Sequence, residues 1–145
     1  MQKKLYFFIL TIFIFSCNGF GPIDRNIQTE NLSISKEELI GKWKMDSFSY
    51  KYLSNLKNDS IEIEFYPDST FQMNNSSNLF KNSIDNEINE GIWKIDSSHK
   101  TKSIQLNFNS DNTSKQLEIY KKGKEYQLWY FLNDPDSGER IRFLR

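Results

Sequence analysis

Much of the chain consists of short runs in which apolar and polar residues alternate, and this alternation limits the fold more than any other feature. Ile61, Ile63 and Phe65 alternate with Glu62 and Glu64. Successive side chains of a β-strand point to opposite faces of the sheet, so such a run predicts a strand with one buried and one solvated face. We predict strands at Lys42–Tyr50, Ser60–Tyr66, Ser69–Asn74, Ile88–Asp96, Lys102–Asn109, Lys115–Lys121, Glu125–Leu132 and Glu139–Leu144.

Composition and turn residues favour joining these runs into one antiparallel structure. The chain has no alanine, the best helix former, and no valine; its apolar residues are mainly Ile, Leu and aromatics, which favour strands. Tyr66-Pro67-Asp68-Ser69 and Lys122-Gly123-Lys124 fit tight turns. A flat meander of eight strands would leave two bare edges, and closure removes them. We therefore predict an all-β, eight-stranded antiparallel up-and-down barrel, with a two-sheet sandwich as the alternative.

One short helix is predicted at the start of this domain. Ser35 and Glu38 fit a capping box, in which each residue satisfies a backbone N–H at the helix amino terminus. Gly41 follows soon after and ends the helix.

The amino terminus has the features of a secretion signal. Lys3 and Lys4 precede an apolar run of 11 residues, Leu5–Phe15, which is shorter than the roughly 20 residues of a membrane-spanning helix. Ile14-Phe15-Ser16-Cys17 resembles the lipobox of bacterial lipoproteins, and Cys17 is the only cysteine. We predict a signal peptide (1–16), a lipidated Cys17 with a flexible tether (17–34), and the barrel domain (35–145).

The predicted lipid anchor indicates a location. Acylation of Cys17 with two or three chains would hold the protein firmly on a membrane. Asn18, rather than Asp, follows the cysteine, and this resembles lipoproteins that are sorted to the outer membrane. We expect an outer-membrane lipoprotein that faces the periplasm; an ordinary secreted protein with a chance cysteine is the alternative.

Short motifs over residues 35–145 resemble lipocalin-like bacterial lipoproteins. They are Leu39-Ile40-Gly41-Lys42-Trp43, the segment 63–71 (IEFYPDSTF), Gly91-Ile92-Trp93 and an Arg-rich last strand. The resemblance implies that Gly41 and Trp43 open the barrel and that an arginine covers the indole, closing one end through a cation–π contact. Arg142 is the expected cation, with Arg140 and Arg145 as alternatives. The resemblance also implies an eight-stranded barrel with a possible apolar pocket.

Residue types argue against catalysis, metal binding and nucleic-acid binding. His99 is the only histidine and lies in a predicted turn, so no transition-metal site or Ser–His pair is indicated. The acidic stretch Asp134–Glu139 fits a turn better than a calcium loop. The 19 basic and 19 acidic residues balance, and no basic face for a nucleic acid is evident. We expect neither an enzyme nor a cofactor.

Two functions remain at this point. The first is binding of a small apolar ligand in a barrel cavity lined by Phe71, Met73, Trp93 and Tyr130. The alternative is a protein-interaction module, such as a periplasmic inhibitor, immunity factor or assembly factor. Its barrel would be solid, and its loops, in particular 50–56 or 75–86, would contact an envelope protein.

Overall fold

The computed structural model of the protein describes residues 26–53, 61–80, 88–110 and 113–145, apart from the side chain of Asp136. The predicted signal peptide, residues 1–16, and the predicted lipid-bearing Cys17 lie outside the described residues. Across the described ranges, no helix combines the length and the hydropathy needed to cross a bilayer.

The described part of the chain forms nine β-strands, eight of which close into a barrel. From β2 to β9, each strand pairs antiparallel with the next, and β9 pairs with β2 to complete the ring. This arrangement confirms the predicted eight-stranded antiparallel barrel and excludes the sandwich. The strands are β1 (Ile27–Gln28), β2 (Gly41–Met45), β3 (Glu62–Phe65), β4 (Thr70–Asn74), β5 (Ile88–Asp96), β6 (Ser103–Phe108), β7 (Ser114–Lys122), β8 (Glu125–Phe131) and β9 (Arg140–Leu144).

The barrel has two ends, which we name after two of their residues. The Trp43 end carries the turn at residues 36–39, the turn at 66–69, the loop at 97–102 and the hairpin at 123–124. The Tyr130 end carries the described connections 46–53, 75–80 and 132–139. Even-numbered strands run from the Trp43 end to the Tyr130 end because neighbouring strands are antiparallel.

The closing pair of strands has the shortest register in the ring. β2 and β9 pair at Lys44 with Leu144 and at Met45 with Phe143, whereas each other pair of neighbours in the described ring has three or more such positions. The N–H of Asp46 extends this contact by donating to the carbonyl of Arg142 at 3.0 Å. The contact therefore joins the Tyr130-end half of β2 to the Trp43-end half of β9.

Aromatic rings fill much of the barrel interior. Phe65 lies 5.0 Å from Trp93 between ring centroids, and Phe71 lies 5.1 Å from Phe108. Phe80 enters from the Tyr130 end and packs edge-on against Phe108 at 5.5 Å. The chain of contacts from Trp93 to Phe80 shows that bulky rings occupy the space that alanine or valine would leave open.

The predicted amino-terminal helix is replaced by a single turn. The N–H of Leu39 donates to the carbonyl of Lys36 at 3.0 Å, and one half of the capping box forms as the N–H of Ser35 donates to the Glu38 carboxylate at 2.8 Å. The turn does not continue because Leu39 is buried in the core and β2 begins at Gly41. Burial and strand pairing override the local helix signal here.

Residues 26–34, which the sequence assigns to the tether, pack on the barrel. β1 pairs with the last residues of β7, Ile27 opposite Lys122 and Gln28 opposite Lys121. Leu32 and Ile34 are buried in the core. The pairing is possible because β6 leaves this edge of β7 after the Ser103–Glu118 pair. The described part of the predicted tether therefore belongs to the folded body.

Candidate functional site

The Trp43 end is closed by the predicted tryptophan, but a different arginine covers it. The indole of Trp43 is buried and donates its N–H to the carbonyl of Leu39 at 2.8 Å. The guanidinium of Arg145 lies 5.8 Å from the indole centroid. It also donates to the carbonyl of Glu38 at 3.0 Å and to that of Ile40. Arg145 thus binds the turn and the indole together.

The choice of Arg142 as the covering cation is wrong. Arg142 faces outward on β9, where its guanidinium lies 4.1 Å from the Phe48 ring and pairs with the Asp46 carboxylate. Arg142 lies between the buried Ile141 and Phe143 and therefore faces away from Trp43, whereas Arg145, just after β9, reaches the indole. Gly41 provides the space, since a Cβ there would lie 2.9 Å from the Arg145 guanidinium.

Three of the four predicted ligand-binding residues do not line the pocket at the Tyr130 end. Two lie in the packed interior, and the third lies near the Trp43 end. Phe71 and Met73 have 0% of their surface exposed, and neither lines the pocket described below. Trp93 lies near the Trp43 end, where it donates to the carbonyl of Tyr66 at 3.3 Å. It borders a hollow of about 260 Å³ beside Lys36. The expected central cavity around these residues is therefore filled.

Tyr130 lines a pocket of about 450 Å³ at its own end of the barrel. The apolar lining comes from three segments: the residues after β2, the turn after β4, and β8 with the residue that follows it. Polar groups surround it. The lining residues are Tyr52, Leu53, Asn78, Leu79, Phe80, Lys115, Tyr130, Leu132, Asn133 and Glu139, which together we call the Tyr130-end pocket.

A tight turn after β4 places the pocket floor. Ser76–Asn78 form a 3₁₀ turn preceded by Asn75 in a left-handed conformation (φ 50°). The N–H of Phe80 donates to the carbonyl of Ser76 at 2.7 Å, and the Asn89 amide donates to the Ser76 hydroxyl at 2.5 Å. This network turns Phe80 inward, where its ring meets Tyr130 at 4.9 Å.

A second 3₁₀ turn, Ser49–Tyr52, builds one wall of the pocket, and β2 accordingly ends before the predicted limit at Tyr50. The Ser49 hydroxyl donates to the Asp46 carboxylate at 2.7 Å and accepts the N–H of Arg142 at 2.7 Å. Tyr52 then donates to the carbonyl of Gly138 at 3.4 Å. The wall is thus fixed to β9.

The pocket combines an apolar floor with a polar rim. Burial raises the pKa of the Tyr130 hydroxyl above its ordinary value. The Lys115 ammonium lies 5.4 Å from the Phe80 centroid, and Glu139 accepts a hydrogen bond from Asn133 at 2.6 Å. Such a lining suits a small molecule with an apolar part and a polar head.

Apart from Tyr130, none of the lining residues is predicted from the sequence to bind a ligand, and Leu79 and Phe80 are the buried ones among them. They lie in the stretch 75–86, which the sequence predicts as a loop that could contact a partner protein. The usable signal is an adjacent apolar pair, Leu79-Phe80, within an otherwise polar stretch, and both side chains are in fact buried.

Groups suited to metal binding do not gather in the described residues. No set of three His, Cys, Asp or Glu side chains lies close enough to hold a metal ion there. His99 is exposed in the loop between β5 and β6, at the end opposite the Tyr130-end pocket. No family model, curated protein or solved structure matches the chain.

Proposed function

We propose that this protein is a lipid-anchored, lipocalin-like envelope protein that binds a small amphipathic molecule and is not an enzyme. The observation that carries the binding function is the Tyr130-end pocket. Its volume of about 450 Å³ falls within the roughly 300–1,000 Å³ typical of small-molecule sites. A closed barrel supplies a rigid frame for such a pocket.

The ligand would occupy the mouth of the barrel rather than its centre. Phe80 and Tyr130 pack together above the buried interior, so an apolar group would rest on these rings. Lys115 lies at the same lining and would attract a negatively charged head group. Glu139 also lies on the lining, where its carboxylate accepts a hydrogen bond from Asn133. We therefore infer, as the ligand class, an amphiphile whose polar head lies beside Lys115.

Binding of a fluorescent probe tests this site. We expect anilinonaphthalene sulfonate, an anionic aromatic dye, to bind the purified mature protein, and we expect Leu132→Trp to weaken that binding about tenfold by filling the pocket. Leu132 lines the pocket, whereas Ile92, the control position, is 55% exposed on the barrel wall. Dye titration should show unchanged affinity for Ile92→Trp.

Equal dye affinity for Leu132→Trp and the unsubstituted protein would contradict the site. A second comparison tests the head group: Lys115→Gln should weaken the anionic dye several-fold more than the neutral probe N-phenyl-1-naphthylamine. Native mass spectrometry of protein purified from its own host would then show whether a small molecule is retained.

The lipid anchor is tested separately at Cys17. The apolar run Leu5–Phe15 ends at the only cysteine of the chain, and this pattern supports acylation of its sulfur. We expect Cys17→Ser to block acylation and the signal cleavage that depends on it, so that mass spectrometry finds an uncleaved chain without acyl mass; Ser16→Gly is a control that keeps the thiol. Unaltered cleavage of the Cys17→Ser protein would contradict the anchor.

A protein-interaction function remains the second candidate, because two large apolar side chains are exposed on one strand. Ile88 and Ile92 of β5 are 57% and 55% exposed. An envelope protein that co-purifies with the unsubstituted chain, but not with an Ile88→Asp/Ile92→Asp variant, would favour this function over ligand binding.

A further inference from the structure

The hairpin between β7 and β8 concentrates positive charge at the Trp43 end. Lys121, Lys122 and Lys124 lie within four consecutive residues, and Glu125 is the only acidic residue between 121 and 126. Lys122 and Lys124 are exposed. The preceding loop adds Lys100 and Lys102. This corner is therefore basic although the charges of the whole chain balance.

The amino-terminal segment enters the barrel at the same corner. β1 is antiparallel to β7, with Ile27 opposite Lys122 and Gln28 opposite Lys121. Because β7 runs toward the Trp43 end, β1 runs away from it, and Ile27 lies at that end beside the hairpin. Burial of Leu32 and Ile34 fixes the segment in this position.

The covalent distance from the predicted anchor to this corner is short. Residues 18–26 separate Cys17 from β1. Even a fully extended chain of that length spans only roughly 30 Å. A tether reaching residue 34 would allow nearly twice that distance. The lipid anchor would therefore keep the lysine hairpin within roughly 30 Å of the membrane surface, where it can reach the head groups.

We propose that the hairpin of Lys121, Lys122 and Lys124 docks on an anionic phospholipid surface, so that the Trp43 end faces the membrane and the Tyr130-end pocket faces away. The proposal rests on the lipid anchor of the proposed function. The anchor supplies proximity, and the lysines select the orientation, since their attraction to the surface fades beyond a Debye length of about 8 Å.

Energy transfer from the barrel to the membrane tests the orientation. The mature acylated protein is reconstituted into phosphatidylcholine vesicles with or without phosphatidylglycerol, and the vesicles carry an acceptor dye on lipid head groups. A donor dye is attached after Ser97→Cys at the Trp43 end or Ser137→Cys at the Tyr130 end. Both serines are exposed. Acylated Cys17 has no free thiol, so only the introduced cysteine is labelled.

We expect stronger transfer from position 97 than from position 137 on phosphatidylglycerol vesicles, and a smaller difference in high salt. Lysines near such a surface contribute roughly fivefold each to the docked population, so K121Q/K122Q/K124Q should reduce it about 100-fold. The control K42Q/K44Q/K51Q removes the same charge elsewhere. Lys42 and Lys44 lie on the barrel wall opposite Glu64 and Glu62.

The outcomes separate this inference from the anchor. An acylated protein whose two transfer signals do not respond to phosphatidylglycerol, or respond equally in both triple variants, overturns the orientation alone. Mass spectrometry that finds Cys17 without acyl chains overturns the anchor and, with it, the orientation.

Discussion

Replacing Gly91 with alanine is expected to lower the free energy of unfolding by about 3 kcal/mol. A Cβ at this position would lie 2.1 Å from the backbone carbonyl oxygen of Asn107 and 2.7 Å from the Phe71 ring. The carbonyl belongs to β6, so relief requires β5 and β6 to separate at the Gly91–Phe108 pair. Urea unfolding of the mature protein, followed by tryptophan fluorescence, measures the loss.

Gly123→Ala is the matched control for this prediction. Gly123 has a left-handed φ of 62°, but a Cβ added there would meet no atom of the described residues within 4 Å. Because the added methyl group causes backbone strain but no steric overlap, Gly123→Ala should lower the free energy of unfolding by only about 1 kcal/mol. Gly91 does not have a left-handed φ, so equal losses for the two variants would contradict the close approach of β5 and β6 as the reason for glycine at position 91.

Truncation of Trp43 to alanine is expected to cost about 4 kcal/mol. The side chain is among the largest that are fully buried, and its indole N–H is satisfied by the carbonyl of Leu39. Trp43→Phe keeps a ring but loses that hydrogen bond, so it should cost clearly less. The same urea titration checks both values.

A double-mutant cycle identifies the cation that covers Trp43. Combining Trp43→Leu, which removes the aromatic face, with Arg145→Gln should show a coupling of about 0.5–1 kcal/mol, because the guanidinium lies over the indole. The cycle with Arg142→Gln should be additive, since Arg142 contacts Phe48 and Asp46 instead. Coupling to Arg142 but not Arg145 would refute this assignment.

Strand positions could be predicted because each strand separates core from solvent. Ile104 and Leu106 are buried while Gln105 and Asn107 are not, as their alternation along β6 requires. Closure of the ring could also be predicted, because it removes the edges of an eight-stranded meander. Local pattern and tertiary structure agree in this part of the chain.

Features that depend on distant contacts could not be predicted from local pattern. The capping box at Ser35 fits a helix, yet burial of Leu39 and pairing of β2 stop it after one turn. The polar sequence before residue 35 gives no sign that Leu32 and Ile34 enter the core. Sequence propensity describes the conformation that a segment favours in isolation, and here burial and strand pairing in the barrel outweigh it.

The choice of Arg142 contradicts the alternation along β9, whereas the location of the pocket could not be predicted from local pattern. Arg142 lies between the buried Ile141 and Phe143 and therefore faces outward, while Arg145 has the same phase as these two inward-facing residues. Tyr130 lines the pocket as expected, but Phe71 packs against Phe108 in the interior, and Met73 has none of its surface exposed. Whether aromatic rings leave a void depends on how they pack and not on how many there are.

Closure of the barrel depends on β9, the last strand of the described chain, which pairs with β2 over only a short register. Until β9 is in place, β2 and β8 each present a bare edge, and the ring has a gap that no other strand of the described chain fills. Once β9 is in place, contacts from other segments hold it in the ring. Ser49 and Asp46 bind Arg142, and the carbonyl of Glu38 in the turn before β2 binds Arg145. A chain shortened before β9 would leave a curled open sheet, prone to pairing with its copies.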